Sequence, residues 1–181
     1  MASDVGVTAE ANGLAGILRA CPSCGYPSYI DTTVGIVTPP VSYGTGVADL
    51  PSGVGDLYEE ARDCVSVAAN HAAVMVCRKI LMHVAVLQGA AEGKSFVFYV
   101  DYLVENHLVP PRTKDWVDEI RQIGNDATHE IFDIDETAAK AAVDFVAMLL
   151  KLLYEFPAKG AASVAARAAK DAAAATPAGA A

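Results

Sequence analysis

The clearest periodicity in the chain lies between residues 56 and 156. Leu57, Ala61, Cys64, Val65, Ala68, Ala72, Met75, Val76, Ile80 and Val84 recur at helical spacing. They predict a first helix from near Asp56 towards Gln88, with Gly89 as its stop. At ~1.5 Å per residue such a helix would be about 50 Å long, so a kink or break within it is expected. Ser95 is placed to cap a second helix with Phe96, Tyr99, Val100, Leu103 and His107 on one face, ended by Pro110-Pro111. Thr113 can cap a third, which holds Trp116, Ile120 and Ile123. Asp135 caps a fourth, with Phe145, Met148, Leu149, Leu152 and Phe156 inward and Pro157 as terminator. Four apolar stripes on short connections predict a mainly α, four-helix bundle.

The flanks carry weaker patterns. Residues 1–20 are small and polar, which reads as a mobile stretch or a short helix. Residues 21–55 are rich in Gly, Pro, Ser, Thr and Tyr, an irregular segment whose best strands are Tyr29-Ile30 and Val34-Gly35-Ile36-Val37 before Pro39-Pro40. Residues 158–181 are dominated by alanine, which favours helix but buries little, so a frayed or disordered tail is expected. The organisation predicted is therefore an irregular N-terminal segment (1–55), a bundle (56–157) and an alanine-rich tail (158–181).

Composition alters this picture in three ways. The 53% apolar fraction of the 181 residues overstates the core, because much of it is tail alanine. A net charge of −9 repels nucleic acid at long range, so an RNA partner would need a locally basic cleft. The acidic start, Met1 to Glu10, lacks the basic and apolar parts of a signal peptide, and the apolar helices are interrupted by Arg78, Lys79, Asp144 and Lys151. A cytoplasmic chain with no membrane partner is expected, in which four cysteines are thiols or metal ligands rather than disulfides.

The candidate chemistry centres on Arg121, Asn125 and His129, which recur at fourfold spacing and would share one face of a continuous helix. A phosphate-binding guanidinium, an amide and a proton-transferring imidazole suit a metal-independent phosphodiesterase. The same three residues also suit a structural network in which Asn125 caps a turn, and Gly124 favours a helix junction there. Cys21-Pro-Ser-Cys24-Gly25 has the shape of a zinc knuckle, but one Cys-x-x-Cys supplies two of the four ligands a closed site needs. It reads as metal-free, as half of a zinc site shared across a dimer, or as a redox pair. Arg78 reads as a snorkelling residue or as a second phosphate contact, and His71 and His83 as packed or surface histidines. His107 suits the negative end of a helix dipole.

Cys64, the run from Ala72 to Leu81, Trp116 to Arg121, Gly124-Asn125 and His129 together resemble a bacterial and phage domain-of-unknown-function family. That family also occurs beside restriction-endonuclease subunits, and it is similar to the HEPN superfamily of helical bundles, many of them dimeric ribonucleases. The resemblance implies an HEPN-like bundle over residues 56–156 and a homodimer. It also implies Arg121 stabilising phosphorane charge, His129 moving the 2′-hydroxyl proton and Asn125 positioning them. Arg121 and His129 stand further apart here than is usual in such ribonucleases. Two functions follow as expectations. The first is a dimerising or partner-binding bundle in a phage or bacterial defence context, without catalysis. The second is a metal-independent endoribonuclease.

Overall fold

The computed structural model describes residues 7–11, 14–20, 25–110, 116 and 134–175, which fall into two units, Met1–Tyr43 and Gly44–Ala181. The first unit is a four-stranded antiparallel meander: β1 (Val7–Ala11), β2 (Leu14–Ala20), β3 (Pro27–Asp31) and β4 (Val37–Thr38). Where the expectation of a mobile stretch or short helix over residues 1–20 meets described residues, 7–11 and 14–20, it is corrected to two strands. Ala11 pairs with Leu14 across the two residues Asn12-Gly13, a dipeptide that by composition is a strong hairpin signal.

Residues 25–53 are irregular apart from the two short strands β3 and β4, as the Gly- and Pro-rich composition predicts. Tyr29 and Ile30 do lie in a strand, but of the Val34–Val37 run only Val37 does, because Gly35 (φ +72°) belongs to the turn before β4. Asp31 makes that turn. Its carboxylate accepts the Thr33 hydroxyl and the backbone N–H groups of Thr33 (2.8 Å) and Val34 (3.3 Å); the hydroxyl first, then the amides, hold the Asp31 carboxyl below its usual pKa. Gly16 is required on β2. A Cβ there would stand 2.1 Å from the Tyr29 ring, which covers the glycine from the next strand.

The second unit is helical. α1 spans Val54–Ser66, α2 Asn70–Leu87, α3 Phe96–Glu105 and α4 Glu136–Leu150. A π-helical turn, Lys151–Glu155, joins α4 to α5, Phe156–Ala175. The long first helix is thus two helices, broken at Val67–Ala69. Ala68 adopts φ +59°, and its N–H and that of Ala69 donate to the carbonyls of Val65 (3.0 Å) and Cys64 (2.8 Å). The break turns Ala68, Ala72 and Met75 outward, against the single stripe expected from their spacing. Ser95 and Asp135 cap as the sequence predicts, accepting the N–H of Phe98 (3.3 Å) and of Ala138 (2.8 Å).

The core lies between α1, α2, α3 and α4, around Tyr58, Ile80, Leu81, Leu103, Phe145, Leu149 and Val146. Full burial of each large side chain contributes roughly 1.5–3 kcal/mol. Among the described helices only α2 is long and apolar enough to cross a membrane, and here it is a core helix that buries Ala73, Val74, Cys77, Ile80, Leu81, Val84 and Ala85.

Two expectations at the C-terminal end are corrected. Pro157 does not terminate the helix, and the alanine-rich stretch is helical to Ala175. Within the π turn the Phe156 N–H donates to the Lys151 carbonyl, five residues back. The wider turn ends just before Pro157, which lacks an N–H and would crowd an α-helical carbonyl four residues earlier. Residues five apart align across it, so Glu155 follows Leu150 on the buried face. Leu152 (36% exposed) and Phe156 (52%), both expected inward, face out.

Candidate functional site

Arg121, Asn125 and His129 lie outside the described residues, as do Cys21 and Cys24, so the polar stripe and the knuckle stay at the level of sequence. Of the predicted third helix, Trp116 is described. It is helical and meets Phe145 of α4 edge to face, with ring centroids 5.2 Å apart. Among the described residues no group of three His, Cys, Asp or Glu side chains could hold a metal ion. Cys77 is buried in the core, where burial pushes its thiol up to about 12. The half-buried Cys64 is also raised, by burial first and then by Glu60 and Asp63.

The histidines divide. His71 accepts the Ile134 N–H at 3.5 Å, which ties α2 to the start of α4. His107 does more than complement a dipole: at φ +57° it closes α3, its N–H donating to Val104 (3.0 Å) while Leu108 donates to Leu103 (2.9 Å).

His83 lines an open groove of about 710 Å³ along the outer face of α2. Leu57 and Glu60 of α1, Tyr99 of α3 and Glu92 form its other walls, while α2 supplies Met75, Val76, Arg78, Lys79, Met82, His83 and Val86. Arg78 is the unusual member. Its guanidinium lies 4.2 Å from the Phe96 ring centroid, and Nη1 is buried without a hydrogen-bond partner among the described residues. Burial lowers its pKa from the ordinary arginine value. The snorkelling reading misses this arrangement, because Arg78 and Phe96 sit on different helices.

A second feature is α5 itself. Every described side chain from Lys159 to Asp171 is exposed, and Val164 is 71% exposed. At its base Leu152 and Phe156 border a smaller pocket of about 330 Å³ with Ala147 and Met148. Lys159, Arg167 and Lys170 stand against a single acid, Asp171, in a chain whose net charge is −9.

No curated protein and no solved structure matches the chain. A family model does, over residues 59–171, from within α1 to within α5, and on that match the chain belongs to the family described as Domain of unknown function (DUF4145).

Proposed function

We propose that this protein is a non-catalytic, HEPN-like helical module that self-associates and docks to a protein partner through α5, in the cytoplasm and in a phage or bacterial defence context. The observation that carries the reading is the exposure of α5 along Lys159 to Asp171. A helix without tertiary packing is only marginally stable in water, even when rich in alanine. Packing against a second copy supplies what the chain's own body does not. The exposed apolar side chains of Leu152, Phe156 and Val164 give the contact, and the basic charges of α5 suit an acidic chain. A twofold dimer is the simplest closed assembly.

Sedimentation velocity of the full chain at micromolar concentration tests this. A dimer is expected, converted to monomer by Phe156→Glu with Val164→Glu while the helical circular dichroism of the body is retained. A wild-type monomer at high concentration rejects the reading. RNA cleavage by the wild type, lost in a folded His129→Ala variant, would put the ribonuclease of Arg121 and His129 in its place.

A further inference from the structure

The groove along α2 is lined by none of the residues of α5, so what it binds is a separate question from self-association. Its size falls within the range of small-molecule sites, roughly 300–1,000 Å³, and Met75, Met82, Leu57 and Val86 give it adaptable apolar walls. Its cations, Arg78 and Lys79, are adjacent on α2.

Arg78 has a charge that the described protein does not neutralise. Its planar group is oriented by Phe96, and among the described residues Nη1 has no acceptor and Arg78 no ion-pair partner, although Glu60 and Glu92 line the same groove. A buried donor left without an acceptor costs about 1–3 kcal/mol. The residue as a whole is half-buried and lines the groove. An incoming anion would find a fixed, partly desolvated cation beside apolar walls, an arrangement that favours charge-assisted pairing over exposed lysines.

We propose that this groove binds an amphipathic organic anion: a small molecule whose apolar body lies over Met75, Met82 and Val86 and whose single acidic group is held by Arg78, with Lys79 beside it. The ligand class is set by these residues, and a neutral molecule of the same shape is a poorer one. The full chain is titrated with two fluorescent probes, anilinonaphthalene sulfonate and phenylnaphthylamine, which share their rings and differ in the sulfonate. One saturable site is expected, preferring the sulfonate by at least about tenfold, with the preference shrinking as salt is raised. Arg78→Met is expected to abolish the preference while leaving the neutral probe bound, and Met82→Trp to block both probes. Dodecanoate should displace the sulfonate where dodecanol does not. Equal affinity of the two wild-type probes overturns the proposal without needing any variant to fold. So does a preference that survives in folded Arg78→Met, or binding that never saturates.

Discussion

Glu155, on the π turn, accepts the backbone N–H of Ala48 at 3.2 Å across 107 residues of sequence. It is the one buried charged residue among those described, 8% exposed, and its other oxygen takes the Lys159 ammonium. The segment it holds is pinned at three further points: Lys151 donates to the Thr45 hydroxyl (2.8 Å), Tyr58 to the Thr45 carbonyl (2.8 Å) and Arg62 to the Gly44 carbonyl (3.3 Å). Burial, outweighing Arg62, pushes the Tyr58 phenol up to about 12, so it remains a donor at every ordinary pH. The π turn therefore does structural work, placing a carboxylate where an uninterrupted α-helix would place an apolar side chain.

That carboxylate gives the first prediction. Lys159 first, and the Ala48 amide next, hold the Glu155 pKa below the ordinary 4.5. A group with a depressed folded-state pKa contributes stability that is fully present above its unfolded value and is lost as pH falls through the folded one. Glu155→Gln is expected to be less stable than wild type in urea unfolding at pH 7. The gap should narrow below about pH 4.5 and close once the native carboxyl is protonated. A gap independent of pH would show that the carboxylate's charge is not what holds Ala48.

Three helices end in one way, with a left-handed residue after the last turn: Ala68 (φ +59°), Gly89 (φ +104°) and His107 (φ +57°). In each, two successive N–H groups donate back to orphan carbonyls of the last turn. A left-handed conformation costs a residue with a Cβ roughly 1–2 kcal/mol, which glycine avoids. Ala68→Gly and His107→Gly are each expected to stabilise the protein by roughly 0.5–1 kcal/mol, against the usual sign for glycine. Gly89→Ala should destabilise it by a similar amount or more, since a Cβ there would also stand 3.2 Å from the Tyr102 hydroxyl. Thermal melts of the three variants check the signs.

What could be read from the sequence was local. Ser95 and Asp135 act on an N–H three residues ahead, and Gly89 stops its helix by its own backbone freedom, so each is visible in a short window. Asn12-Gly13 is an equally local signal, obscured by flanking Ala and Gly residues of low strand propensity. Ala68 carries no turn signature, so the break after α1 showed only as a helix too long to be straight. The π turn, the burial of Glu155 and the outward turn of Leu152 and Phe156 depend on a segment a hundred residues away. The groove depends on Arg78 meeting Phe96 from another helix. The Arg121–Asn125–His129 stripe was legible as residue chemistry and as a family signature, and no described geometry bears on it.

Cysteine accessibility offers a third check. In a Cys21→Ser, Cys24→Ser background the thiols left are Cys64, half-buried, and Cys77, buried. With its pKa near 12, fewer than about one in a thousand Cys77 side chains is thiolate at pH 8, and none is reached without opening the core. A disulfide reagent should label Cys64 slowly in the native protein and Cys77 only at the rate of opening, which denaturant then accelerates. Prompt labelling of both thiols would contradict the packing of α2 against α1.

The last prediction concerns Trp116, the only tryptophan of the chain, whose emission therefore reports one site. Its ring meets Phe145 edge to face at 75°, and Phe145 is 2% exposed on the inner face of α4. Such a pair contributes about 0.5–1.5 kcal/mol beyond the area it buries. Phe145→Leu keeps most of the volume and removes the ring pair, so its cost should lie near that range. Phe145→Ala also leaves a cavity and should cost about 3–5 kcal/mol. Both should shift the native tryptophan emission to the red, because Trp116 is already partly exposed and loses the face that shields it. The shift should appear in the folded protein, before any unfolding transition. An unchanged native spectrum in both variants would mean that Trp116 does not rest on Phe145, and would remove the one described contact that ties the predicted third helix to the bundle.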